Sequence, residues 1–116
     1  IPTESFFKGL FETDLKPDEI LTAVEVPAAK KGDRSVFLEL ARRHGDYATV
    51  GLAAHNERVV FFAVASMPVL FFLGDAKKSL KEKLKPASDL YHSSATKLHL
   101  AGVLLERAWN TLSTSR

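Results

Sequence analysis

Residues 37–54 read F-L-E-L-A-R-R-H-G-D-Y-A-T-V-G-L-A-A, and the reading of this stretch decides the fold. Val36, Leu38 and Leu40 alternate with Phe37, Glu39 and Ala41, the period of two that a half-buried strand requires. Residues 49–54 resume as a second strand built of small residues. Between the two runs stand Arg42, Arg43, His44, Gly45, Asp46 and Tyr47. They bring together two permanent cations, an imidazole, a carboxylate and a phenol, with one glycine able to take a positive φ for the turn. The pattern is a hairpin whose tip concentrates polar chemistry. A plain solvated turn has the same composition, and residue type alone does not separate the two readings.

Working outward toward the N-terminus, residues 20–26 alternate Ile20, Thr22, Val24 and Val26 against Leu21, Ala23 and Glu25, which predicts a strand rich in β-branched residues that Pro27 stops. Residues 28–34 form a polar connection. Ahead of them, Pro17 sets a turn in residues 10–19. Thr3 is expected to cap one short helical turn closed by Gly9, with Phe6 and Phe7 as core anchors. Toward the C-terminus, residues 55–58 make a second polar tip and residues 59–66 a further strand, so that one antiparallel meander accounts for residues 20–66. Residues 67–73 show no strong period and read either as a buried extended segment or as the lead into a helix. Asp75 is expected to cap a helix over residues 76–84, with Ala76, Leu80 and Leu84 on one face and the lysines solvated on the other. Pro86 ends it, and residues 87–93 link to a helix from Ser94 to about Leu112. At ~1.5 Å per residue this last helix is ~28 Å long. Its buried stripe is Leu98, Ala101, Leu105, Ala108 and Leu112, thickened by Trp109, and residues 113–116 are expected to fray. Strands followed by helices without βαβ alternation predict an α+β fold, an antiparallel three- to four-stranded sheet packed against C-terminal helices.

The chain has 116 residues, 46% of them hydrophobic, which suits one domain over residues 1–116 with a core of its own. Lys and Arg outnumber Asp and Glu by only 16 to 14, so no basic face for nucleic acid is indicated. The absence of cysteine excludes disulfides, thiolate metal sites and a cysteine nucleophile, and fits a reducing, cytoplasmic setting. The longest apolar run, residues 59–73, is broken by Ser66 and Pro68 and predicts no membrane span. The opening Ile1-Pro2 without methionine reads as a piece of a longer polypeptide. No nucleophile elbow, metalloprotease helix, phosphate-binding P-loop or dinucleotide fingerprint occurs. His44, His55, His92 and His99 lie on separate elements, so no catalytic residue and no metal site is assigned.

Residues 6–27, F-F-K-G-L-F-E-T-D-L-K-P-D-E-I-L-T-A-V-E-V-P, together with the hairpin stretch and residues 89–108, D-L-Y-H-S-S-A-T-K-L-H-L-A-G-V-L-L-E-R-A, resemble a known family. It is that of the FAD-binding medium subunits of molybdenum hydroxylases, the carbon monoxide dehydrogenase and xanthine dehydrogenase family. The resemblance is to the C-terminal domain of that subunit. It implies an FAD that passes electrons between iron–sulfur clusters and an acceptor, held mainly by two upstream FAD-binding domains outside these residues. Iron–sulfur and molybdenum subunits are the implied partners. Within the chain, the resemblance places an apolar side chain, Leu21, and an aromatic, Phe11, over the flavin. It puts Leu38 where the xanthine dehydrogenase branch has a lysine, so that charge is gone. The loop carrying Arg42, Arg43, Gly45, Asp46 and Tyr47 is implied to lie close to the flavin. The chain departs from the family between residues 84 and 89, where a further helix is usual, and at Thr96-Lys97, where Tyr-Arg is common. The chain alone is expected neither to be active nor to hold FAD tightly. The alternative reading is a free-standing interaction module without cofactor, whose Phe61, Phe62, Phe71 and Phe72 would favour self-association.

Overall fold

A computed structural model describes residues 1–114. The chain begins with one helical turn, α1 (Thr3–Phe6), and a small hairpin of β1 (Phe7–Gly9) and β2 (Glu12–Thr13). After a long extended segment come four strands in simple meander order, β3 (Ser35–Ala41), β4 (Ala48–His55), β5 (Arg58–Phe62) and β6 (Val69–Phe72). Two helices follow, α2 (Leu73–Lys83) and α3 (Ser94–Thr114). All sheet pairings are antiparallel, as short connections between consecutive strands dictate.

Register explains the core. Leu38 stands opposite Leu52 and Leu40 opposite Val50. Leu52 and Ala54 in turn face Phe61 and Val59, and Val59 faces Phe71. Alternation along each strand therefore delivers one continuous apolar face. Val50, Leu52, Val59 and Phe61 are wholly buried there, in one core with Ala101, Leu104 and Ala108 of α3, which packs on β3 and β4 while α2 packs on β5 and β6. Phe61 and Phe71 meet edge to face at 5.6 Å. Burying each large side chain of this set contributes about 1.5–3 kcal/mol. α2 adds Ala76 and Leu80, and Leu84 just past its end is also buried.

The opposite face is packed locally. Gly51, on β4, is buried under the ring of Phe62, which lies parallel to Phe37 at 5.4 Å and 20°. A Cβ at residue 51 would stand 2.1 Å from that ring, so the stack requires glycine.

Several expectations are corrected by the structure. Residues 20–26 are exposed and belong to no ladder. Strand propensity needs a neighbour to become a strand, and the connection that leads into β3 is tied to the β4–β5 turn through Arg34 and Asn56. The fourth strand comes instead from the segment left open, as β6, which runs directly into α2. β5 stops at Phe62 rather than residue 66, with Ala63 at φ 66° ending the ladder. Residues 2, 72 and 93 replace the expected caps. α1 follows Pro2 rather than being capped by Thr3. Asp75 lies inside the first turn of α2, whose N-cap is Phe72. The Ser93 hydroxyl, not that of Ser94, accepts the N–H of Thr96 at 3.1 Å, the side-chain capping that free helix-end donors need. α3 runs on through Ser113 and Thr114, while residues 115 and 116 lie outside the described residues. Phe7 is partly exposed rather than a core anchor, and the first buried side chain along the chain is Val50.

The linker between α2 and α3 is stapled by charge. Lys97, the one buried charged residue among the described residues, donates from Nζ to Asp89 at 2.7 Å and to the Ala87 carbonyl at 2.8 Å. Asp89 also accepts the N–H groups of Tyr91 and His92 at 2.9 Å. Lys97 first, and then these two N–H donors, hold the Asp89 carboxyl well below its ordinary value, because each stabilises the ionised form.

Two outcomes are expected. Gly51→Ala lowers the free energy of unfolding in urea by about 1–3 kcal/mol, the range for overpacking, and Phe62→Ala in the same chain removes most of that cost. Additive losses would show that the ring and residue 51 do not compete for the same space. A depressed carboxylate stabilises the fold above its ordinary value of 3.8 and that contribution fades as pH falls. Asp89→Asn is therefore less stable than wild type at neutral pH, and the difference in melting temperature shrinks as pH drops below 3.8. A pH-independent difference would count against the staple.

Candidate functional site

The tip between β3 and β4 is a four-residue turn closed by the N–H of Asp46 donating to the Arg43 carbonyl at 3.2 Å, with Gly45 at φ 80°. Positive φ at the third position is the type II arrangement, which favours glycine there. A bulge just before it, between Leu40 and Ala41, bends the strand ends, as bulges do. Arg43 Nε lies 3.4 Å from Asp46 Oδ2, with the arginine side chain 79% exposed. Such a surface pair contributes little to stability. Arg42 turns the other way, its guanidinium carbon 3.6 Å from the centre of the Tyr91 ring, a cation–π contact. Tyr91 belongs to the linker that Asp89 holds in place. The Lys97–Asp89 staple thus positions the ring on which Arg42 rests. Tyr47 extends 95% exposed from the same tip.

Phe11 is the second feature. It occupies the two-residue loop between β1 and β2, at φ 56°, with 98% of its surface exposed. An aromatic residue in the left-handed region is an outlier that costs of order 1–3 kcal/mol, and here the strain holds an apolar ring in open solvent. Leu21 lies in the same N-terminal arm and is 57% exposed. Leu38 sits elsewhere, on the helix side of β3, partly buried against the core. Arg43 and Asp46 are therefore together, with Arg42 beside them. Phe11 and Leu21 share the arm. Among the described residues no hydrogen bond, ion pair or aromatic contact joins the arm to the hairpin tip.

One cluster escapes a reading of the sequence. At the β4–β5 turn, His55 Nδ1 is 2.8 Å from the Ser35 hydroxyl and its Nε2 is 3.8 Å from Asp33. Asn56, at φ 52°, donates to Asp33 at 3.0 Å and accepts the N–H of Arg34 at 2.9 Å. The N–H of Lys30, the Asn56 amide and the nearby His55 lower the Asp33 pKa. Serine, histidine and aspartate are together, yet Asn56 crowds Nε2 at 3.3 Å and His55 is half exposed. The arrangement clasps the loop before β3 to the turn rather than activating the hydroxyl. Turn propensity of Asp33 and Asn56 was visible in the sequence; their mutual approach across the sheet was not. Among the described residues no group of three or more His, Asp or Glu side chains could hold a metal ion, and no helix is long and apolar enough to cross a membrane.

No family model matches the chain. The caffeine dehydrogenase subunit beta of Pseudomonas sp. (strain CBB1) is 26% identical, over 90% of this chain and 44% of its own length. The carbon monoxide dehydrogenase medium chain of Hydrogenophaga pseudoflava is 36% identical over 53 residues, 46% of this chain and 18% of that protein. The solved carbon monoxide dehydrogenase from Hydrogenophaga pseudoflava which lacks the Mo-pyranopterin moiety of the molybdenum cofactor superposes with a TM-score of 0.83 at 24% identity. That match covers 95% of this chain and 47% of the other. The chain spans about half the length of the relatives that it matches along most of its own length. By sequence the chain is therefore similar to a caffeine dehydrogenase subunit beta over nine-tenths of its residues and to a carbon monoxide dehydrogenase medium chain over about half of them, and it shares its fold with a solved carbon monoxide dehydrogenase chain over nearly all of them.

Proposed function

We propose that the chain is the flavin-capping part of an oxidoreductase subunit of the medium-chain type, working with FAD-binding domains outside these residues and with iron–sulfur and molybdenum subunits. The observation that carries this reading is Phe11, an aromatic ring held in strained backbone and 98% exposed. Strain of this kind persists where a function uses it, and a flat apolar ring without a partner suits the face of another flat ring. Leu21, more than half exposed on the same arm, would add apolar cover.

The residues fit one end of the group only. A pyrophosphate is held by successive backbone N–H donors, commonly in glycine-rich loops at a helix start. Here the positive-φ glycines, Gly32 and Gly45, stand singly in separate turns. FAD, when bound, would supply electron transfer between iron–sulfur clusters and an acceptor. Phe11 and Leu21 would exclude water from its ring system. Arg42 and Arg43 would place positive charge near it and favour an anionic reduced form, and Asp46, paired to Arg43, would offset part of that charge.

The isolated chain is expected to show no micromolar affinity in a fluorescence titration with FAD. In the complete subunit, Arg43→Ala leaves Asp46 unopposed and lowers the flavin potential. A unit charge at ~8 Å and an effective dielectric of ~20 contributes on the order of 2 kcal/mol, and exposure to salt and water reduces this to tens of millivolts. Leu21→Ala weakens FAD retention by about 1–2 kcal/mol through lost apolar burial. An unchanged potential in the first variant together with unchanged retention in the second would sink the proposal and leave the tip as a solvated turn.

A further inference from the structure

A groove of about 930 Å³ lies between α2 and α3, and its lining comes from those two helices alone. Leu80, Leu98, Gly102 and Leu105 make its floor, and Lys77, Lys78 and Lys81 stand along the α2 side. Glu106 is the single carboxylate in the lining. It is taken up by Lys77, whose Nζ lies 3.0 Å from it and 4.6 Å from the centre of the Trp109 ring. Among the described residues no ion pair engages Lys78 or Lys81. We propose that this groove docks an amphipathic helix of another polypeptide, with its apolar face on the floor and acidic side chains against the lysines.

Charge sets the sign of the occupant. α2 carries four lysines against Asp75 and Glu82, and its unpaired cations repel a basic partner and steer an acidic one. Shape sets the occupant's form. The part of α3 that lines the groove, from Ala95 to Glu106, is about three turns or ~17 Å long, and two helices side by side offer ridges and grooves into which a third helix packs. Gly102 is a further, independent sign. Glycine is a poor helix former, and nothing within the chain calls for it, since an added Cβ would meet only Leu80 Cδ2, at 3.9 Å, an ordinary contact. Bare backbone on the groove floor suits the close approach of a neighbour. A lipid surface fits less well, because none of the large exposed apolar side chains belongs to α2 or α3, which leaves nothing to enter the acyl region. Nor does a second copy supply the helix, since α3 carries a single acidic residue, Glu106, and α2 is basic. The inference does not depend on the flavin reading.

The test uses the full chain and a fluorescein-labelled probe peptide of three heptads, with leucine at the two apolar positions of each heptad and glutamate beside them. A second peptide has lysine in place of glutamate. Fluorescence anisotropy is expected to show saturable binding of the acidic peptide, about tenfold tighter than the lysine peptide and weaker at ~500 mM salt than at ~50 mM. The double variant Lys78→Glu, Lys81→Glu reverses that preference with an unchanged melting temperature, because both lysines are exposed. Gly102→Leu puts a better helix former into α3, so it keeps the melting temperature while filling the groove and weakening the acidic peptide by about tenfold. Absence of saturable binding, equal affinity for both peptides, or an affinity that neither variant moves would each overturn the inference. So would a doubled mass by light scattering that the lysine double variant abolishes, which would make a second copy the occupant. Retention on vesicles of phosphatidylserine and phosphatidylcholine that the acidic peptide fails to displace would also overturn it and assign the face to a membrane.

Discussion

One face of a sheet has to be kept dry by helices that arrive much later in the chain, and the rest of the structure depends on that constraint. Val50, Leu52, Val59 and Phe61 have no accessible surface, since α3 packs on β3 and β4 and α2 on β5 and β6. α3 can do so only if its start is fixed. Ser93 caps it, and Lys97 ties the preceding linker to it through Asp89 and Ala87. A buried lysine with only one carboxylate and one carbonyl is a stabilising arrangement while all three groups are present and a liability when one is removed. The staple is therefore part of the core's architecture although it lies at its margin.

The sheet and the two longer helices were legible because they obey simple periods. Leu38, Leu40, Leu52 and Phe61 alternate, and Ala101, Leu105, Ala108 and Leu112 follow helical spacing. What the sequence could not show is partnership. Residues 20–26 carry the same signal as β3, yet a strand's signal says nothing about which segment pairs with it, and among the described residues none does. The reverse holds for residues 69–72, whose unbroken run of apolar residues has no period of its own and became β6 because β5 offered an edge. Caps were missed by one to three residues for the same reason. The backbone path starts α1 after Pro2 and α2 after Phe72, neither with a side-chain cap, and only at α3 does a hydroxyl, that of Ser93, cap the helix.

The candidate site was legible in a similar way. The polar content of the hairpin tip and its glycine were apparent, and the ion pair of Arg43 with Asp46 follows from their spacing around a tight turn. The engagement of Arg42 with Tyr91 was not, since it joins segments far apart in sequence. Nor was the clasp of Asp33, Ser35, His55 and Asn56, where two strand-end residues and two loop residues meet across β3 and β4. The left-handed backbone of Phe11 also had no sequence signal, because phenylalanine avoids that region in general.

The order of elements has a consequence for biosynthesis. A nascent chain presents the apolar arm and then the entire sheet before the residues of α3 leave the ribosome, and at ~5–20 residues per second the interval amounts to seconds. During it, Leu52, Phe61 and Phe71 have only α2 to shelter them, and the open edges of β3 and β6 can pair with other chains. Vectorial synthesis thus leaves the apolar face of this sheet uncovered until the last helix is made. Slower translation over residues 85–93 would lengthen that exposure without altering any contact in the finished protein.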